Sequence, residues 1–375
     1  MPHLFRFPLF LTLALLGSCA SDRPASDPMR LGVSPTLLPF TYEKGPHGMY
    51  NGGVRSILQD RSGAYWFGSH LEGVCRFDGT RMQCFTTADG LGDNQVRSIQ
   101  EDSRGRVWFD LGVGIGCLSG ETLVTQAERH YEPTVQRPID AQDLWFKGNE
   151  SVGFSEDEQQ AGVYRCRDGV LTFLPFPLPV LKGTSSGYSV TGYAKGKGGR
   201  VWIATYNAVF GLDNTGFTMI DGDRMGLREG EGAPHVRCVF EDSAGRVWIG
   251  NNGVGVLVVD GDLDGEGTTS LTPARGTGEA LLRMAAPLVA SETSDGGRSL
   301  QRVFSIGEDR DHNIWIGTIG GGAWRFDGHT LTQFTAKDGL TTADVMAIYQ
   351  DRSGDLWLGG NGVFRFDGAR FERVH

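Results

Sequence analysis

Asp260, Asp262 and Asp264 alternate with Gly261 and Leu263 in the string DGDLDG, and hard carboxylate oxygens at alternate positions can wrap one Ca2+. An EF-hand loop would need glutamate at its twelfth position, where Leu271 stands, so the string reads as a calcium turn of another kind or as a solvated acidic loop. Gly183-Thr184-Ser185-Ser186-Gly187 has the G-x-S-x-G spacing of serine hydrolases. That spacing has meaning only on a sharp strand-to-helix turn followed by an acid and a histidine, and here it falls in a linker. His70, His235, His312, His329 and His375 are single and scattered, with no H-x-x-x-H pair among them. His70 with Glu72 is the one histidine–carboxylate couple to test for catalysis. No catalytic residue is assigned, and Ca2+ is the only cofactor considered.

The elements that would carry such residues come from a repeat. VRSILQDRSGAYWFGSHLEGVCRFDGTRMQCFTTADGL, residues 54–91, is rewritten at residues 302–340 and again at 345–373, a spacing of roughly 40 residues that marks a solenoid or propeller. Within a unit Val54, Ser56 and Leu58 alternate with Arg55, Ile57 and Gln59. Short β-rich runs follow at 65–68, 74–77 and 82–85, separated by turn residues. Asp60-Arg61-Ser62-Gly63 and Asp78-Gly79 predict tight turns, with Asp accepting backbone amides and Gly taking positive φ. Trp66, Trp108, Trp145, Trp202, Trp248, Trp315 and Trp357 occupy matching places and count seven units. Asp60, Asp102, Asp242, Asp309 and Asp351 each stand six residues before their tryptophan. The third unit lacks both this Asp and the following Gly, the fourth keeps only the Gly, and the sixth has His312 in the Gly position. The fold expected is all-β, a single seven-bladed β-propeller of four-stranded antiparallel blades.

The pattern V-x-S-I-x-x-D-x-x-G-x-x-W-x-G…G-x-x-R-F-D-G…F-T-x-x-D-G-L resembles the two-component regulator propeller repeats, over about residues 50–375 and most specifically in units one, six and seven. That resemblance implies an extracytoplasmic sensor-type propeller, as in hybrid histidine kinases and stand-alone envelope proteins. Sialidase propellers carry S-x-D-x-G-x-x-W, but Asp60 and Gly63 are three apart, which departs from that spacing.

If the first strand of each unit ends at the DRSG-type turn, the loops after the tryptophan strands gather at the opposite rim. His70, Glu72, Asn94, Tyr206, Asn207, Asn251, Asn252, Thr318 and Asn361 then surround one mouth of the channel, where amide and aromatic groups suit a carbohydrate or other polar ligand. The competing reading is that Asn and Gly there serve only turn geometry. Cys75 and Cys84 flank the Asp78-Gly79 turn and could be cross-linked or remain two thiols.

Residues 1–18 read as a signal peptide, and Leu16-Gly17-Ser18-Cys19 as a lipobox that would lipidate Cys19, with Ala20 favouring the outer membrane. Residues 20–50 read as a tether, residues 51–375 as the propeller, with an insertion within about 260–302. The last unit holds four strand-like runs while Leu38–Tyr42 echoes a fourth strand, so two ways of closing the ring stay open. A formal charge of −10 without a basic run argues against nucleic acid, and contact with the membrane is expected through the lipid alone. Three functions compete: a binding or sensor propeller for a glycan or an envelope protein, a lyase or hydrolase working at the channel mouth, and an envelope scaffold. A catalytic histidine beside a metal or Glu would favour the second, and an exposed apolar patch at 281–284 the third.

Overall fold

The computed structural model describes residues 42–44, 50–120, 122–124, 129–132, 137–147, 161–178, 186–225, 227, 234–259 and 300–374. Cys19, the signal peptide, most of the tether, Asp260, Asp262, Asp264 and the 281–284 patch lie outside the described residues.

Seven sheets form the seven blades of a β-propeller. Blade one runs Val54–Gln59, Tyr65–Ser69, Val74–Phe77 and Met82–Phe85, each strand antiparallel to the next. Blade seven repeats it with Val345–Gln350, Leu356–Gly360, Gly362–Phe366 and Phe371–Arg373. First strands of neighbouring blades lie against one another around the axis, which makes them the inner strands.

The tryptophans sit between blades. Trp66 packs with Val96, Ile99 and Phe109 of blade two, and Trp202 with Val236, Val239 and Ile249 of blade five. Trp357 meets Tyr65 of blade one at 4.6 Å between ring centroids. Burying a large flat side chain at each junction supplies about 2–3 kcal/mol or more of apolar stabilisation.

An aspartate fixes the indole in five blades. In blade one Asp60 Oδ1 accepts the amides of Ser62 (2.9 Å) and Ala64 (3.0 Å), while Oδ2 accepts Trp66 Nε1 at 2.8 Å. Asp102, Asp242, Asp309 and Asp351 hold Trp108, Trp248, Trp315 and Trp357 in the same way, at 2.7–2.9 Å. One carboxylate thus caps the turn and orients the core side chain. The turn needs a left-handed residue, Gly63 at φ 96° in blade one, and in blade six His312 adopts φ 64° in its stead.

Blade four lacks the aspartate, and its neighbour compensates. Gly196 stands in that place, and the space a Cβ would fill is taken by Glu241 Oε2 of blade five. Glu241 accepts Trp202 Nε1 at 2.5 Å and the Lys197 amide at 3.0 Å. In blade three nothing substitutes: the buried Trp145 Nε1 has no hydrogen-bond partner among the described residues.

The ring closes blade against blade. Gln59 Oε1 accepts the Arg352 amide at 3.2 Å, the bond that Glu101 makes to Arg61 (2.9 Å) and Glu308 to Ser243 (2.7 Å) at other junctions. Tyr65 donates its hydroxyl to Asp351 Oδ2 at 2.7 Å. Strand Tyr42–Lys44 pairs with Tyr50–Gly52 in a separate hairpin and joins no blade. Blade seven owns all four of its strands, so of the two closures the sequence left open this is the one found.

Two departures from the expected pattern shape the interior. Strict alternation fails in the inner strands because each carries a β-bulge: Val54 pairs with Ser69 and Ser56 with Gly68, leaving Arg55 unpaired and shifting burial onto Ile57. Blade three departs from the uniform antiparallel plan. It holds Leu144–Lys147, Gly162–Arg167 and Val170–Pro175, with Arg129–Tyr131 added in parallel outside the last, and no inner strand among the described residues. Blade five shows Val236–Glu241, Val247–Asn251 and Val256–Val259, its chain then passing into residues not described.

Candidate functional site: the central channel

Six inner strands bear the same bulge at the same place. Register skips between Val54 and Ser56, Val96 and Ser98, Val190 and Gly192, Val236 and Cys238, Val303 and Ser305, and Val345 and Ala347. The skipped residues are Arg55, Arg97, Thr191, Arg237, Phe304 and Met346. A bulge re-aims a side chain out of the ladder, so the frame presents one variable residue per blade. Arg55 of blade one lies within the electrostatic reach of Arg97 of blade two, Arg237 of blade five and Tyr206 of blade four. Groups from blades so far apart in the ring converge only at the axis.

The sector of blade three supplies the rest. In four blades the second residue after the tryptophan is glycine, and a Cβ there would strike the next inner strand. At Gly68 it would lie 2.7 Å from Val96 Cγ1, and at Gly250 2.7 Å from Val303 Cγ1. Blade two has Asp110 at this position and blade three has Lys147. Among the described residues no inner strand of blade three presses on Asp110. Its Oδ2 accepts the Lys147 amide at 3.2 Å. Gln100 bonds the inner edge of Leu144–Lys147, donating Nε2 to the Trp145 carbonyl (2.6 Å) and accepting the Trp145 amide (3.3 Å). Across the gap Tyr193 of blade four meets Ser98 Oγ and Gln100 Nε2 of blade two, contacts that an intervening strand would forbid.

The charges here are mostly positive. Burial, followed by the fields of Arg97 and Arg237, brings the Arg55 guanidinium down to about 10, so it stays charged at neutral pH. Burial lowers Lys147, with Asp110 opposing and the three arginines adding to the fall. Burial raises Asp110, with Lys147 opposing. His70 Nδ1 lies 2.7 Å from Arg55 Nη1 and 3.0 Å from Gln95 Nε2. Both neighbours are obligate donors, so Nδ1 is the acceptor and the ring proton sits on Nε2. Burial and then the charges of Arg55 and Arg97 hold His70 at about 4, neutral at pH 7. Gln95 Oε1 in turn accepts Arg97 Nε at 2.7 Å. Arg237 lies between Tyr206 and Phe304, 5.1 and 4.9 Å from their ring centroids, and its buried Nε has no hydrogen-bond partner among the described residues.

Of the residues expected at the mouth, His70 and Tyr206 join this cluster. Others are held into the loops. Asn94 Oδ1 accepts the Thr87 amide at 2.8 Å, and Thr318 Oγ1 donates to the Gly322 carbonyl at 2.9 Å. Asn207, Asn252 and Asn361 donate their backbone N–H groups to the Gly187 carbonyl, the His235 carbonyl and Thr342 Oγ1, and the Glu72 backbone N–H donates to Ser69 Oγ at 2.8 Å. Asn251 is fully buried, and neither its Oδ1 nor its Nδ2 has a partner among the described residues. Cys75 and Cys84 face each other across adjacent strands of blade one and form a disulfide. Among the described residues no group of three or more His, Cys, Asp or Glu is arranged to hold a metal.

Sequence reasoning passed over Arg55, Arg97, Arg237, Asp110 and Lys147. The signal lay in the repeat: W-x-G becomes Trp108-Phe109-Asp110 and Trp145-Phe146-Lys147 in adjacent units, an acid and a base where the frame demands glycine.

Four segments, residues 90–110, 230–253, 297–320 and 339–362, match the family model described as two component regulator propeller. They cover the first two strands of blades two, five, six and seven, while blade one is not matched. No curated protein matches the chain. Among solved structures, the extracellular domain of the hybrid two component system BT3049 from B. thetaiotaomicron is 17% identical with a TM-score of 0.40. That match covers 90% of this chain and 44% of the other, so this chain spans less than half its length. A streptogramin B lyase is 15% identical with a TM-score of 0.51, covering 87% of this chain and 98% of its own. YCF48 from Cyanidioschyzon merolae is 10% identical with a TM-score of 0.51, over 87% and 98%. Likeness at these identities shows the fold alone.

Proposed function

From the premise that this chain carries two-component regulator propeller repeats, we propose that it is an extracytoplasmic, lipid-anchored binding propeller. It takes a ligand at the mouth of its central channel and serves sensor-like in two-component signalling or envelope glycan sensing, without chemistry of its own. One observation carries the reading: six inner strands keep the same bulge while the residue it presents is free to vary, arginine in three blades and Thr191, Phe304 and Met346 in the others. A constant frame displaying variable side chains into one channel is how a rigid scaffold builds a recognition surface. The lipobox-like Leu16–Cys19 supports the envelope location.

The purified protein would be screened by thermal shift against oligosaccharides and peptidoglycan fragments, with any bound compound recovered and analysed. A ligand should raise the melting temperature by mass action, lose that effect in Tyr206→Ala, and be recovered intact. Recovery of cleaved ligand would replace this reading with a propeller lyase or hydrolase. Absence of any shift, with an envelope protein captured instead, would replace it with a scaffold.

A further inference from the structure

We infer that the channel of this propeller is an oxyanion site, and that its ligand carries at least two negative charges held by Arg55, Arg97, Arg237 and Lys147. This rests on the binding reading above and specifies the chemistry of the ligand.

The guanidinium groups of Arg55, Arg97 and Arg237 and the amine of Lys147, from blades one, two, five and three, act on one another at the axis, and Asp110 is the carboxylate among the described residues that acts on both Arg55 and Lys147. Asp93 touches the cluster only at its edge, through its effect on His70, with its Oδ1 engaged by the Gln95 amide. The surplus is positive inside a chain whose formal charge is −10. Gathering like charges in a partly desolvated channel costs folding free energy unless a counter-charge joins them.

The cations are also aimed. Arg97 is oriented by Gln95 through Nε, leaving its two Nη groups without a hydrogen-bond partner among the described residues. Arg55 spends Nη1 on neutral His70. Arg237 is sandwiched by Tyr206 and Phe304, with Nε unsatisfied. Rigid guanidinium forks with open donors match carboxylate, sulfate and phosphate oxygens, whereas a neutral sugar would leave the charges uncompensated.

The test is calorimetry and thermal shift on the full protein with citrate, inorganic phosphate and sulfate, against chloride at equal ionic strength. Saturable binding is expected, strongest for citrate. Arg97→Gln should weaken it ten-fold or more while raising the melting temperature of the ligand-free protein, because removing one crowded cation relieves repulsion. Arg97→Lys, which keeps the charge but loses the fork, should fall between. Arg81→Gln, a charge removed from an exposed turn, should leave binding unchanged. The inference is overturned if none of the three anions binds saturably, or if Arg81→Gln weakens binding as much as Arg97→Gln. Should a neutral oligosaccharide bind in a Tyr206-dependent way while no anion does, the oxyanion site falls and the channel reading stands. If neither binds, both fall.

Discussion

Blade seven and blade three are built from the same repeat and meet opposite ends. In blade seven every repeat position is filled as the pattern requires. Asp351 caps its turn and holds Trp357, and Gly359 leaves space for Val54 of the next blade. In blade three the aspartate and the inner strand are both missing from the described residues, and the Trp145 indole N–H has no partner there. The complete blade is a structural wedge. Beside the incomplete one, Asp110, Lys147, Gln100 and Tyr193 meet across blades two, three and four. Regularity in a repeat protein builds the ring, and the places where regularity lapses are where chemistry can be installed.

That contrast can be broken most sharply at the glycine position. Gly359→Asp would push a Cβ to 2.8 Å from the Val54 carbonyl oxygen and 3.0 Å from its Cγ1, and should cost more than about 4 kcal/mol or abolish folding. The reciprocal change, Asp110→Gly, meets no such clash; it should cost about 1–3 kcal/mol, through the lost acceptor of the Lys147 amide and the lost counter-charge rather than through packing. Urea unfolding of the two variants compares them directly, and similar losses would mean that the two sectors are packed alike.

A second comparison uses blade four, whose repair comes from outside. Glu241→Ala leaves the Trp202 indole and the Lys197 amide without their acceptor and should cost about 1–3 kcal/mol. Gly196→Asp alone forces a second carboxylate against Glu241 and should also destabilise. Combined, the two restore the arrangement of blade one and should recover most of the loss, a coupling that a double-mutant cycle reads out.

The smallest effect is expected at Asn251. Ser69, Thr205 and Thr318 cap the same turn in blades one, four and six, while the Asn251 side chain makes no bond among the described residues. Asn251→Thr should donate to the Gly255 carbonyl and add about 1 kcal/mol by chemical denaturation. A loss of stability instead would show that the asparagine is supported by its surroundings and is no lapse in the repeat.

The sequence carried the ring clearly because its spacing is dictated locally. Asp60 six residues before Trp66, with Gly63 between, is a turn, a hydrogen bond and a core side chain in one short string. The channel was hard to read for the converse reason. Arg55, Arg97 and Arg237 are far apart along the chain, and strict alternation would have placed them in an ordinary ladder had the bulge not intervened. The mouth asparagines looked like ligands because amides suit sugars, yet Asn94 satisfies a neighbouring amide with its side chain. The departure of blade three, which shows no inner strand among the described residues, was written only as two misfit residues, Asp110 and Lys147, whose meaning depends on what packs beside them.

The closing junction bears on how the chain reaches its fold. Four of the other junctions join blades adjacent in sequence through first strands roughly 40 to 70 residues apart and can form as soon as those strands exist. The bond from Tyr65 to Asp351 spans 286 residues. Closing so long a loop is entropically slow, and the contact cannot begin before blade seven has emerged from synthesis. Until then blade one presents Tyr65 and the inner edge of Val54–Gln59 uncovered, an open-ended arc rather than a ring. The slowest folding phase should therefore report on Tyr65 and Trp357, and this seam is where the nascent protein is most exposed to pairing with the wrong partner.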